Sequence, residues 1–161
     1  DLRSDQLKEA RRKGLERGCY GRMTFLLADA RWLPIKDKSA DVVVFWESLR
    51  QMKPRDLVGY LKEARRISDK VLIVDIEGDG LAPEQERFIA LERECEGFEP
   101  IDKGELSEIL DELFSSVSWS RIVVGEKLPR KIVELKTTLS QKRAPKGEIA
   151  YPPLFVVKCF A

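Results

Sequence analysis

The chain has 161 residues, 43% of them hydrophobic and 35% charged, with a formal net charge of +1. That profile predicts one soluble globular domain over residues 1–161, with no global field drawing it toward nucleic acid or a membrane surface. No apolar run approaches the roughly 20 residues of a membrane helix, and the lack of histidine excludes Ser-His-Asp and Cys-His hydrolase chemistry and histidine-ligated metals.

In chain order, Ser4 is placed to cap a helix carrying Leu7, Ala10 and Leu15 and closing at Gly18. The apolar run Met23–Ala28 predicts a buried strand, and a loop from Asp29 to Ala40 follows it. Asp41–Trp46, with three consecutive valines, predicts a second buried strand. Pro54 opens a helix in which Leu57, Tyr60, Leu61, Ala64 and Ile67 recur at helical spacing. Lys70–Ile76 reads as a strand and Glu77–Pro83 as a glycine-containing loop. Residues 84–95 have helical composition, and Leu106, Ile109, Leu110, Leu113 and Phe114 mark an amphipathic helix. A strand in 116–124, a helix over Arg130–Leu139, a basic loop and a last strand over Leu154–Phe160 complete the series. Alternating elements with continuous apolar strands predict an open, mostly parallel α/β sheet covered by helices on both faces.

Cys19, Cys95 and Cys159 lie far apart with no CxxC spacing. They predict free thiols in a reducing, cytoplasmic compartment and no metal site. The absence of Asn and the density of Glu, Lys and Arg resemble proteins of hot environments, a thermophile's composition. Gly78-Asp79-Gly80 lacks a third glycine and an immediate helix, so it reads as a turn. Tyr151-Pro152-Pro153 opens the last strand where no ladder donor is needed.

Four stretches then resemble one family in order and spacing. They are Asp1-Leu2-Arg3 with Leu7–Arg11, Ala28–Ile35 (ADARWLPI), Lys38–Val44 (KSADVVV), and Glu63–Ile67 (EARRI) leading into VLIVD. Together they resemble the class I S-adenosylmethionine (SAM) dependent methyltransferases with a seven-stranded Rossmann-like sheet and an antiparallel last strand. The resemblance implies SAM as the methyl donor. Asp1, with Leu2 beside it, would hold the ribose hydroxyls, Asp29 and Ala30 the adenine, and Phe45 and Trp46 the neighbourhood of the sulfonium. Trp32 or Leu33 would pack on adenine or anchor the loop. Glu47 is the candidate general base or substrate clamp, if the acceptor must lose a proton. Family members carry a first strand and a glycine-rich turn before the acidic residue here numbered Asp1. The resemblance therefore predicts a central strand lying outside this sequence, or else exchange with a second copy as a homodimer.

The acceptor stays open among a small molecule, an RNA and a protein. Residues 127–147 sit where such enzymes carry substrate-recognition inserts, and Lys127–Lys146 holds seven basic residues against one acid, Glu134. That segment either contacts RNA phosphates or is a solvated lysine-rich face. The competing reading is a non-catalytic subunit of the same fold that binds a partner protein through helices 84–95 and 104–115.

Overall fold

The computed structural model describes residues 2–123 and 146–161, together with Lys127, Arg130, Val133 and Thr137. Its elements run α1 (Ser4–Glu16), β1 (Val43–Trp46), α2 (Leu57–Ile67), β2 (Lys70–Ile76), α3 (Pro83–Glu96), α4 (Lys103–Leu113), β3 (Ser116–Ile122) and β4 (Leu154–Phe160). The four strands form one open sheet in the order β1-β2-β4-β3. β1 pairs parallel to β2, with Val43 opposite Val71 and Trp46 opposite Val74. β4 runs antiparallel to both β2 and β3, so three of the four strands share one direction. Its prolines precede the first ladder residue, Leu154, and the Pro153 carbonyl accepts from the Glu77 amide at 2.8 Å. Proline at a strand entrance removes no ladder bond there.

Hydrophobic periodicity decides which helix covers which face. Leu57, Leu61, Ala64 and Ile67 fall on one side of α2, and all four are buried. Most of that stripe meets Val71, Ile73, Val157 and the α4 residues Leu106 and Leu110 in one core. The opposite face packs Val74, Ile76 and Leu154 against Phe88, Ile89 and Leu91 of α3, with Val133 and Ile149 completing the second core. Helices thus cover both faces of the sheet, as the continuous apolar strands require.

Two local expectations are corrected. Residues 23–28 form no strand. Phe25 stacks on Tyr20 with centroids 5.9 Å apart, the Arg11 guanidinium lies over its ring, and Leu27 is exposed. β propensity makes a strand only where a neighbour offers a ladder, and among the described residues none pairs with the edge of β1 facing away from β2. Ser4 does not cap α1. Arg3 is the N-cap, in extended conformation and without a side-chain cap bond, and it pairs instead with Asp5 at 2.8 Å. The helix does close at Gly18, whose φ of +66° lets the Cys19 amide turn back onto the Gly14 carbonyl at 3.0 Å. The remaining strands and helices fall within a few residues of their expected positions. The helix expected over Arg130–Leu139 and the basic loop after it lie mostly outside the described residues. No helix among the described residues is long and apolar enough to cross a membrane.

Candidate functional site

The main site is a cavity of about 760 Å³ beside β1, walled by the 28–35 stretch, β1, α2 and the chain start. Leu2, Asp29, Ala30 and Phe45 all line it, so residues separated by some forty positions meet in one place. Asp1, the expected ribose ligand, lies outside the described residues. Trp46 points the other way along the strand alternation, is 62% exposed, and does not line the cavity. Leu33 lines it, whereas Trp32 lies outside it, 70% exposed beneath the Arg31 guanidinium.

What shapes the 28–35 wall is an ionic lattice that sequence reading missed. Asp29 accepts from the Arg31 side chain at 2.7 and 3.1 Å and from the Arg31 amide at 2.9 Å. Those bonds hold its carboxyl below the usual carboxylate range. Arg31 also pairs with Asp56 at 3.2 Å, so the loop is tied to the turn that starts α2. Further along, the buried Glu63 carboxylate accepts from the Leu33 amide at 2.6 Å and from Arg66 at 2.7 and 2.8 Å. Arg66 donates in turn to the Ile35 carbonyl at 2.7 Å and the Leu33 carbonyl at 3.1 Å. Glu63 and Arg66 of the EARRI stretch therefore lash the Leu33-Pro34-Ile35 wall to α2. Their i, i+3 spacing puts both on one helix face, which is the signal that could have found them.

Past β1 the chain turns sharply. Glu47 takes a left-handed φ of +46° while its amide donates to the Val74 carbonyl at 2.6 Å. A non-glycine residue held there stores strain that surrounding bonds must fix. Its carboxylate accepts from the Tyr151 hydroxyl at 2.8 Å and from Arg50 at 3.2 Å. Burial, reinforced by that carboxylate, pushes the Tyr151 phenol well above its usual range, so it donates at any physiological pH. Asp75, at the end of β2 and 1% exposed, accepts from the Leu49 amide at 3.1 Å, the Arg50 amide at 3.3 Å and the Arg50 guanidinium at 3.2 Å. One buried carboxylate thus anchors the 49–51 turn, whose Gln51, with Met52 after it, reaches the cavity. Glu47 itself does not line the cavity.

The residues present fit a nucleoside carrying a compact cation. The cavity has the volume of small-molecule sites, and Leu2, Ala30, Val43 and Phe45 give it an apolar lining. It runs along the whole free edge of β1, from Ala40 to Phe45, and extends past the strand's carboxyl end to Ser48, the end at which open α/β sheets bind ligands.

Comparison with known proteins identifies the fold and the family. No curated protein matches the chain. Among solved structures, a SAM-dependent methyltransferase from Archaeoglobus fulgidus superposes with a TM-score of 0.61 at 17% identity, over 100% of this chain and 74% of that one. The YcgJ protein of Bacillus subtilis gives 0.64 at 14%, over 99% and 80%. The magnesium protoporphyrin IX methyltransferase of Synechocystis, solved with SAM bound, gives 0.56 at 14%, over 100% and 57%. These likenesses establish the fold, that of the SAM-dependent methyltransferases. The family described as methyltransferase domain matches residues 1–88, more than half of the sequence, and the chain belongs to it.

Proposed function

We propose that the chain transfers a methyl group from SAM to an acceptor nucleophile. The observation that carries this reading is the convergence of Leu2, Asp29, Ala30 and Phe45 on one apolar cavity beside β1 in a chain of the methyltransferase-domain family. When bound, SAM supplies an electrophilic methyl carbon on a sulfonium, and little protein chemistry is needed beyond alignment and the exclusion of water. Phe45 walls the cavity where an aromatic face favours a nearby cation. The Ala30 backbone and the 28–35 wall, braced by Glu63 and Arg66, would seat the adenine. Asp29 would contribute its remaining acceptor capacity, and Asp1 a carboxylate for the ribose. Glu47, oriented by Tyr151 and Arg50, is the candidate proton acceptor where the acceptor needs one.

Calorimetric titration of the full chain with SAM and with S-adenosylhomocysteine tests this. Binding near one to one is expected, and Ala30→Trp, which fills the cavity, should weaken it tenfold or more. An absence of binding to either compound would refute the proposal.

A further inference from the structure

Charge is placed unevenly along the chain. Residues 2–27 carry seven Lys and Arg against three acids, whereas residues 77–115 carry thirteen acids against three Lys and Arg. Within the first stretch Arg3 is met by Asp5, Arg12 by Glu9 and Glu16, and Lys13 by Glu9, so all three acids are engaged. Lys8, Arg11, Arg17 and Arg22 are exposed and meet no acid among the described residues. Four uncompensated cations on one short stretch repel one another and attract a polyanion.

Aromatic rings lie among these cations. Leu7 and Ala10 are partly buried and Gly14 is buried, so one side of α1 faces inward. Lys8, Arg11 and Leu15, at i, i+3 and i+7, share the outer face. The Arg11 guanidinium lies 5.5 Å from the centroid of the Phe25 ring, and Phe25 stacks on Tyr20 with the two planes 26° apart. Gly14 makes room for this arrangement, because a Cβ there would stand 3.0 Å from the Met23 sulfur and press on the Tyr20–Arg22 turn. Tyr20 is 41% exposed, so its ring is open to a further flat partner. Arg11, Phe25 and Tyr20 thus form one continuous surface, with Arg22 at the end of the same turn.

We infer that residues 8–25 form a docking surface for a single-stranded nucleic acid. Its phosphates meet Lys8, Arg11, Arg17 and Arg22, and one of its bases stacks on Tyr20. An acidic peptide would satisfy the cations and leave the ring without a flat partner. A duplex keeps its bases stacked inside. A bilayer calls for a broad apolar face, and Leu15 is the one apolar residue on the outer side of α1. No residue of this surface lines the cavity assigned to SAM, so strand docking does not depend on methyl transfer.

The test titrates the full chain with a labelled twelve-nucleotide oligothymidylate, a hairpin duplex of twelve base pairs, polyglutamate and phosphatidylserine vesicles. The single strand should bind more tightly than each of the others, by threefold or more. Counterion release from four phosphates gives a slope of about −3 in log affinity against log salt, roughly a fiftyfold loss from 50 to 200 mM. Lys8→Gln combined with Arg22→Gln, two exposed changes that spare the core, should halve that slope and leave Tm unchanged. Tyr20→Ala should weaken binding fivefold or more at the same slope, and Tyr20→Phe, which keeps the ring, should retain it. Equal or tighter binding of the duplex, polyglutamate or the vesicles overturns the assignment. So does a slope indifferent to the double substitution, a Tyr20→Phe variant as weak as Tyr20→Ala, or no binding of the strand. A chain that binds the strand in this pattern and has no affinity for S-adenosylhomocysteine would refute the methyl-transfer reading alone.

Discussion

Replacing Asp75 with alanine should destabilise the fold and loosen the 49–51 turn beside the cavity. In the native fold its carboxylate accepts from three backbone amides, Leu49, Arg50 and its neighbour Ile76, and from the Arg50 guanidinium. Arg50 would keep Glu47 after the substitution, so the cost is not that of a wholly unpaired buried cation. It is chiefly that of orphaned amides. A buried donor left without an acceptor costs about 1–3 kcal/mol, and removing one buried carboxylate returns part of this. The net comes to about 3 kcal/mol for Asp75→Ala. In a chain of this length that corresponds to a fall of roughly 6–12 °C in Tm. Asp75→Asn keeps an oxygen for the Leu49 and Arg50 amides, which share Oδ2, and should cost only about 1 kcal/mol. Urea denaturation at an unchanged m-value reads both, and affinity for S-adenosylhomocysteine should fall more in the alanine variant. If Asn proves as damaging as Ala, pairing with Arg50 rather than backbone acceptance holds the turn, and the reasoning is wrong. A loss below about 1 kcal/mol for Asp75→Ala refutes it as well.

Glu63→Ala removes the charged acceptor of the Leu33 amide and should cost about 2 kcal/mol at neutral pH. Hydrogen exchange should rise in residues 29–37 while the strands stay protected. Its bonds to Arg66 and Leu33 outweigh burial and hold the Glu63 carboxyl below the usual range. This stabilisation is therefore fully present above the unfolded value near pH 4.3 and is lost as pH falls through the lower folded one. The gap in Tm between the two proteins should close as the pH is lowered from 7 toward 3, and a constant gap would contradict the assignment. Cys159 is buried, and burial first, then Asp111, pushes its thiol up to about 11. Ellman's reagent at pH 8 should leave it unreacted in the folded chain, so Cys159→Ser should not change the rapid amplitude. A drop of one fast thiol would show that the core opens there.

The sequence by itself determined the class of fold, because its signals are local. Valine-rich runs bounded by turns gave β1 and β2, a stripe at 3.6-residue spacing gave α2, and Pro152-Pro153 marked the entry to β4. Short motifs at family spacing also placed Asp29, Ala30 and Phe45 near one another before any coordinates. Residues 23–28 show where local signals stop, since an apolar run becomes a strand only when another strand supplies its ladder. Tertiary structure alone decided that Asp29 leans on Arg31, that Trp46 turns away from the cavity, and that Asp75, the single acid in KVLIVDI, holds a turn 25 residues upstream. It alone brought the 97–105 loop against the 49–57 stretch to make a second cavity. Backbone periodicity is written into neighbouring residues. Ion pairs and cavities depend on side chains that become neighbours only when the sheet forms, and a one-dimensional reading cannot place them.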